Sequence, residues 1–449
     1  MHILISCVGS AGDVHPFVAI GQTLLRHGHS VELLASPHFK VRIEDAGLSF
    51  APFGTEADYQ RIVNRADLWH RYRSFEVLWR EMQPRLVEAH DALVARVQPG
   101  RTVLVGSTLA WHVRLAQETQ RLPAATVHLS PMCIFSAQAP ARLPGLPDLT
   151  GWPVGAVRWV MRGLERVYLD RIVAPGLDAI RKQLGLAPVR HVLSEWVHSP
   201  QSVLCAWPNW FAPPQSDWPS QARTTGFPLW PAASGSALNA DLLRFLETGP
   251  APIGFTPGSA MAHGRDFFER ALAASRRLGH RALLITPYAD QLPETLPSYA
   301  HAVGYAPFDL LLPRLAALVH HAGIGTTAQA LAAGKPQGVM PFAHDQLDNA
   351  TRIEGLGVGL RLDRRRGSVD WANRLDRLLN DPRIAAACQQ HAMLMADEPD
   401  APGQIAEAIE ALAIGSDQVV DAGAASQAIF NRPPLRLASS TSVQSPGSV

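Results

Sequence analysis

Residues 315–333, LAALVHHAGIGTTAQALAA, pass from an apolar run to a glycine-rich turn to a helix, and few folds accommodate that order. Leu315–Val319 has strand length. His321, Gly323, Gly325, Thr326 and Thr327 form the turn, and the helix is expected to start over Ala328–Ala333. A turn of this kind points backbone N–H groups outward, and the helix N-terminus adds partial positive charge, so the segment suits a diphosphate. His321 can donate to a phosphate oxygen, and Thr326 and Thr327 can cap the helix or bind the anion. After a further strand, Gly338–Met340, the residues Asp345, Gln346 and Asn349 gather polar groups at a carboxyl edge, where open α/β sheets bind ligands.

The chain around this segment has 449 residues, which predicts two or three domains. A βαβ unit opens it: strand Ile3–Val8, a Gly-Ser turn, helix Phe17–Arg26 and strand Val31–Leu34. A helical period runs over Tyr72–Val97. Short strands follow at Val103–Val105, Ala124–Leu129 and Ser202–Ala206, and this alternation predicts a doubly wound parallel sheet. Residues 207–235, dense in Pro and Trp, read as a stiff linker whose aromatics pack into a domain interface, with contact to substrate as the alternative. A second strand–helix series begins at Pro252–Thr256. The expected domains are 1–206, then 236–381, with helices over 382–415 and a disordered tail over 416–449.

Composition narrows the function classes. A content of 47% hydrophobic and 18% charged residues is that of a globular protein with a large core. The net charge of +1 gives no electrostatic case for nucleic acid or for strong adhesion to anionic lipid. Cys7, Cys133, Cys205 and Cys388 form no C-x-x-C pair, which points to buried thiols in a reducing cytosol. The start lacks the basic region of a signal peptide, and no run of eighteen apolar residues occurs. A cytoplasmic protein is expected.

The block over Tyr305–Asn349 resembles the nucleotide-sugar signature of family-1 glycosyltransferases. Its elements stand here as His321-Gly323-Thr326, Gly334-Pro336 and Pro341-Asp345-Gln346-Asn349. The resemblance implies the α/β GT-B fold: two Rossmann-like domains facing across a cleft, the acceptor on the first and the donor on the second, with C-terminal helices packing back on the first. It implies no cofactor, the sugar nucleotide being a substrate. Ser259, after the strand of the second half, resembles the small residue of the family's F-G-S loop. Tyr305 and Phe308 stand at its Trp and Gln positions; Tyr305 can stack on a base, whereas Phe308 cannot supply the amide's hydrogen bonds. Gln329 replaces a ribose-binding Glu of plant relatives, which tilts the donor from uridine towards thymidine. No D-x-D triplet occurs, so no metal is expected.

Transfer to a hydroxyl calls for a base, and the first loop, Gly9–Pro16, offers two. It lacks the G-x-G-x-x-G of a nicotinamide site. In Gly12-Asp13-Val14-His15-Pro16, Asp13 takes the position of the family's catalytic His. Three roles stay open: Asp13 as base, His15 as base with a pKa nearer neutrality, or Asp13 as a helix cap. Gly12 lies on the acceptor side. Trp69, Tyr72, Phe75, Leu78 and Trp79, near helical spacing, form a candidate acceptor wall with core packing as the alternative; Trp69, Phe75 and Trp79 are its acceptor candidates. Asp345 and Gln346 should hold sugar hydroxyls, and Asp345 can equally cap the next helix.

Within the family, three blocks look most like the rhamnosyltransferases of rhamnolipid synthesis: GSAGDVHPF, HSPQSVLCAWPNWFAPPQSDWP and the His320–Asn349 segment. That likeness implies L-rhamnose transfer from dTDP-L-rhamnose to a 3-(3-hydroxyalkanoyloxy)alkanoate, an apolar hydroxyl acceptor. It also suggests an acyltransferase partner or peripheral contact with the inner membrane. A glycosyltransferase of another natural product (polyketide or sterol), a GT-B sugar-nucleotide epimerase and a non-catalytic sugar-nucleotide-binding protein share the same motifs.

Overall fold

The computed structural model describes residues 1–231 and 236–413, so the expected disordered tail lies outside the described residues. The first sheet holds β1 (His2–Ser6), β2 (Ser30–Ala35), β3 (Ser49–Pro52), β4 (Thr102–Ser107), β5 (Ala124–His128), β6 (Ser202–Cys205) and β7 (Ala222–Thr224). The second holds β8 (Ile253–Thr256), β9 (Ala282–Ile285), β10 (Ala300–Val303), β11 (Ala317–His320), β12 (Gln337–Val339) and β13 (Gly359–Arg361). Every pairing is parallel, as between His2 and both Ser30 and Thr102. β1 and β8 are buried along their whole length, which a parallel sheet covered on both faces requires.

The helices that matter below are α1 (Ala11–Arg26), α2 (Lys40–Asp45), α3 (Ser74–Met82), α4 (Leu86–Val94), α5 (Val154–Leu164), α6 (Ile324–Ala332), α7 (Gln346–Gly355), α8 (Pro382–Asp397) and α9 (401–413). The helical period over 72–97 resolves into α3 and α4. Pro84 cannot donate to the preceding turn, and a short 3₁₀ segment, Gln83–Arg85, separates them. The 207–235 stretch does more than link. Its middle supplies edge strand β7, and Trp207 is fully buried in the second core beside Phe211 and Phe227. Helix α8 packs on α6, whereas α9 returns to the first core through Ile405, Ala406 and Ile409.

The strand orders place the site. The sheets run β3-β2-β1-β4-β5-β6-β7 and β10-β9-β8-β11-β12-β13, so strand order reverses between β1 and β4 and between β8 and β11. Crevices form at such reversals beyond the strands' carboxyl ends. The loops after β8 and β11 carry Ser259 and His321, and the first turn of α1, directly after the β1 loop, carries Asp13.

Candidate functional site

Both crevices open into one cleft of about 1360 Å³. Single-ligand pockets run to roughly 1,000 Å³, so this one has room for two substrates. Its centre is a meeting of helix N-termini. A Cβ on Gly325, at the start of α6, would lie 3.6 Å from both the Cα and the carbonyl oxygen of Gly12 on α1. Pro16 cannot donate back to that carbonyl, so it remains outside the helix's own bonding.

Asp13 sits on the first turn of α1. Ser10 donates to its Oδ2 twice, from N at 2.7 Å and from Oγ at 3.0 Å, while Oδ1 has no hydrogen-bond partner among the described residues. The capping role is thus met by one oxygen, leaving the other free. Burial raises the Asp13 pKa against the pull of the Ser10 bonds. Gly9 has φ +145°, and a Cβ there would lie 2.2 Å from Asp13 Oδ2, so only glycine leaves this carboxylate in place.

Across the cleft, Asp345 precedes α7 but makes no side-chain cap to it. Its Oδ2 accepts from Asn349 Nδ2 at 2.7 Å. Burial, with the charge of Asp13 adding to it, pushes the Asp345 pKa up to about 6. The His321 ring is wedged between two glycines: a Cβ on Gly258 or Gly323 would lie 2.8 or 2.3 Å from it. Its Nδ1 is buried without a partner among the described residues, and burial, then His320 and His344, lower its pKa to about 3. His321 is therefore a neutral hydrogen-bond donor and adds no cationic charge. The donor-side loops also store strain, with Ala322 at φ +67° and His344 at φ +58°.

Helix α6 starts earlier than expected. Gly323 is its N-cap, and its first helical bond runs from Thr327 N to Gly323 O at 2.9 Å. The N–H groups of Ile324, Gly325 and Thr326 consequently have no partner inside the helix. They form an anion-binding N-terminus at the cleft.

Two family models match separate parts of the chain: "Glycosyltransferase family 28 N-terminal domain" over residues 3–123 and "Erythromycin biosynthesis protein CIII-like, C-terminal domain" over 272–412. The O-mycaminosyltylonolide 6-deoxyallosyltransferase of Streptomyces fradiae is 29% identical over 379 residues, spanning 80% of this chain and 85% of that one. The chain is a glycosyltransferase of the GT-B fold. Among solved structures, the glycotransferase of kitacinnamycin superposes with a TM-score of 0.69 at 18% identity, covering 92% and 98% of the two chains. Glycosyltransferase VinC in complex with DTDP gives 0.62 at 20% identity, covering 92% and 99%.

In this glycosyltransferase, Gly12, Asp13, His15, Phe75, Ser259, Tyr305, Phe308, His321, Gly323, Gly325, Thr326, Gln329, Asp345 and Gln346 line the cleft. Four expected residues do not. Thr327 is fully buried, its hydroxyl turned back to Gly323 O at 3.0 Å. Because Gly323 already caps α6, Thr327 falls one turn inside, where neither threonine caps the helix. Asn349 is also fully buried and acts as a strut. Its Nδ2 donates to Ala322 O and Asp345 Oδ2, and its Oδ1 accepts from Ser130 of the first domain at 3.2 Å. Trp79 points to the other flank of α3, 5.2 Å from Trp111 in the core. Trp69 lies before α3 and meets His344 edge-on at 5.6 Å.

Gln346 lines the cleft with only part of its amide, since its Oε1 accepts from the N–H of Phe342 and Ala343. His320 is structural, bonded to Gln337 and to Ala322 N. Sequence reasoning did not find Arg42 of α2, whose guanidinium lies 4.4 Å over the Tyr305 ring; Trp230, one of the aromatics of the 207–235 stretch, packs on His15 at 4.7 Å. No motif marks either. Ser130, just past the carboxyl end of β5, was findable from its edge position alone. Among the described residues no group of three or more His, Cys, Asp or Glu side chains could hold a metal ion.

Proposed function

We propose that this glycosyltransferase moves a 6-deoxyhexose from a thymidine diphosphate donor to the hydroxyl of an apolar natural product, with inversion and without a metal. The observation that carries this reading is the free Oδ1 of Asp13, with its carboxyl pKa raised, beside a junction of two helix N-termini. Asp13 Oδ1 takes the acceptor's proton, and the acceptor oxygen bonds to the anomeric carbon. The bond from that carbon to the diphosphate breaks, and the leaving oxygens fall to the N–H groups of α6, to His321 and to Ser259. Asp345 and the free part of Gln346 hold sugar hydroxyls, and Tyr305 stacks on the base.

The thymidine donor draws support from Gln329 and Phe308, which lack the charge and amide that uridine-using plant relatives carry at those places. A deoxyallosyltransferase among the relatives and a fold neighbour solved with DTDP point the same way. The apolar acceptor draws support from the cleft's lining, which extends through Phe53, Phe75, Leu78, Met82, Leu146 and Leu169. A finer reading, formation of mono-rhamnolipid from dTDP-L-rhamnose, rests on the sequence blocks given above and on the length of that lining. An acyltransferase would then supply the acceptor.

The test is to incubate the purified enzyme, with EDTA, with dTDP- and UDP-sugars against hydroxyacyl esters, macrolide aglycones and sterols. Transfer from dTDP-deoxysugars to one apolar class is expected. Activity with UDP-glucose alone, dependence on added metal, or donor conversion without acceptor would each overturn the reading.

A further inference from the structure

We infer that the outer face of α5 and the turn after it dock on an anionic lipid surface, presenting the mouth of the acceptor cleft to the membrane. The inference rests on the proposed apolar acceptor and names where such an acceptor is picked up.

Ten large apolar side chains are exposed among the described residues, and five of them fall in one short stretch. They are Trp152, Val154, Trp159, Val167 and Tyr168, with Trp159 78% exposed. Tyr72, itself 52% exposed, adjoins them, its carbonyl accepting from Tyr168 Oη at 2.7 Å. The packing of α5 does not account for Trp159. Val157 and Met161, one turn apart, already fill the small core beneath it with Ala137 and Leu149. Trp159 is on the opposite side, where a helix bordering water ordinarily carries polar residues.

The exposed charges carried by α5 and the turn after it have one sign, with Glu195 and Glu76 on neighbouring elements at the edge of the patch. Arg158, Arg162, Arg166 and Arg171 are exposed and have no ion-pair partner among the described residues. The two acidic residues of the stretch turn inward. Glu165 is fully buried and accepts from Ser194 N and Oγ, and Asp170 accepts from the N–H of His191 and Val192. Tryptophan and tyrosine beside unpaired arginines match the boundary between headgroups and acyl chains. Each arginine near an anionic surface strengthens binding on the order of fivefold. The chain's net charge of +1 conceals this patch.

Position separates a lipid surface from a protein partner. Leu164, which ends α5, and Tyr168 and Leu169 just beyond it line the cleft, as do Tyr72, Leu143 and Leu146. The exposed face and the cleft's apolar wall are one continuous surface. An acceptor leaving the bilayer here would reach Asp13 without its chain crossing water. Among the described residues no helix is long and apolar enough to span a membrane, so the contact would be peripheral.

The experiment is co-sedimentation of the full chain with phosphatidylglycerol-containing or pure phosphatidylcholine vesicles, at low salt and at about 0.5 M NaCl. The triple variant Trp159→Ala, Arg158→Gln, Arg162→Gln is run alongside, with dTDP binding and thermal melting as controls. The wild type should pellet with the anionic vesicles only, release at high salt, and bind at least about tenfold more tightly than the variant. Controls should be unchanged, since all three side chains are exposed. Equal binding by the variant, equal binding to both vesicles, or no vesicle binding would overturn the proposal. So would self-association that the variant abolishes in the absence of vesicle binding. Vesicle binding without transfer to any acceptor would sink the proposed function and leave the surface standing; transfer in solution without vesicle binding does the reverse.

Discussion

Arg42 Nη1 donates to His15 Nε2 across 3.0 Å. A guanidinium has no lone pair to offer, so the contact engages the imidazole's acceptor nitrogen and leaves its proton on Nδ1. Burial, then the Arg42 charge, lower the His15 pKa to about 4. Of the two bases the first loop offered, His15 is thus the one already committed, and it serves as a spacer between Arg42 and Trp230.

His15→Ala should accordingly keep transfer within about tenfold of the wild type, less than the loss of a general base causes. The acid limb of its pH–rate profile should stay in place. A collapse of rate with loss of that limb would restore His15 as base.

Asp345 carries a pH signature. Its carboxyl is raised from 3.8 to about 6, so between those values the folded protein binds more protons than the unfolded chain. Stability therefore falls as pH rises through that window, and the cost persists at neutral pH. Asp345→Asn should raise stability by up to about 3 kcal/mol at pH near 7.5 and by little at pH near 4, read by calorimetry. Because repulsion is mutual, the variant should also move the acid limb of the rate profile to lower pH.

Asn349 is expected to matter through structure. Asn349→Ala removes two donated bonds and the interdomain bond from Ser130. Leaving Ala322 O unpaired beside a cavity should cost about 2–4 kcal/mol. Donor KM should rise as the strained 320s loop relaxes, and the melting curve and KM should move together.

Phe75 and Trp79 should separate cleanly. Trp79→Ala hollows the core and should destabilise by about 3–5 kcal/mol. Phe75→Ala, half-buried against the same core, should destabilise less than Trp79→Ala while raising acceptor KM, with donor KM unchanged.

What the sequence made legible follows from how locally each feature is encoded. The two sheets could be read because buried parallel strands are unbroken apolar runs, and the glycine turns mark the βα junctions. β3, Ser49–Pro52, escaped notice because it is four residues long, ends in proline and is largely exposed. Thr327 adjoins the signature and Asn349 belongs to it, yet the start of α6 at Ile324 and the buried strut of Asn349 depend on tertiary contacts that spacing does not carry. Arg42 reaches Tyr305 from the other domain, a relation no linear pattern encodes. The arginine and tryptophan face of α5 was hidden because Glu165 and Asp170 offset half of its charge in sequence but turn inward in space.

The most direct test of Asp13 as base is Asp13→Asn, measured by steady-state transfer beside calorimetric binding of dTDP. The predicted result is dTDP affinity close to wild type with kcat lower by at least about a hundredfold. Transfer at the full wild-type rate would contradict it.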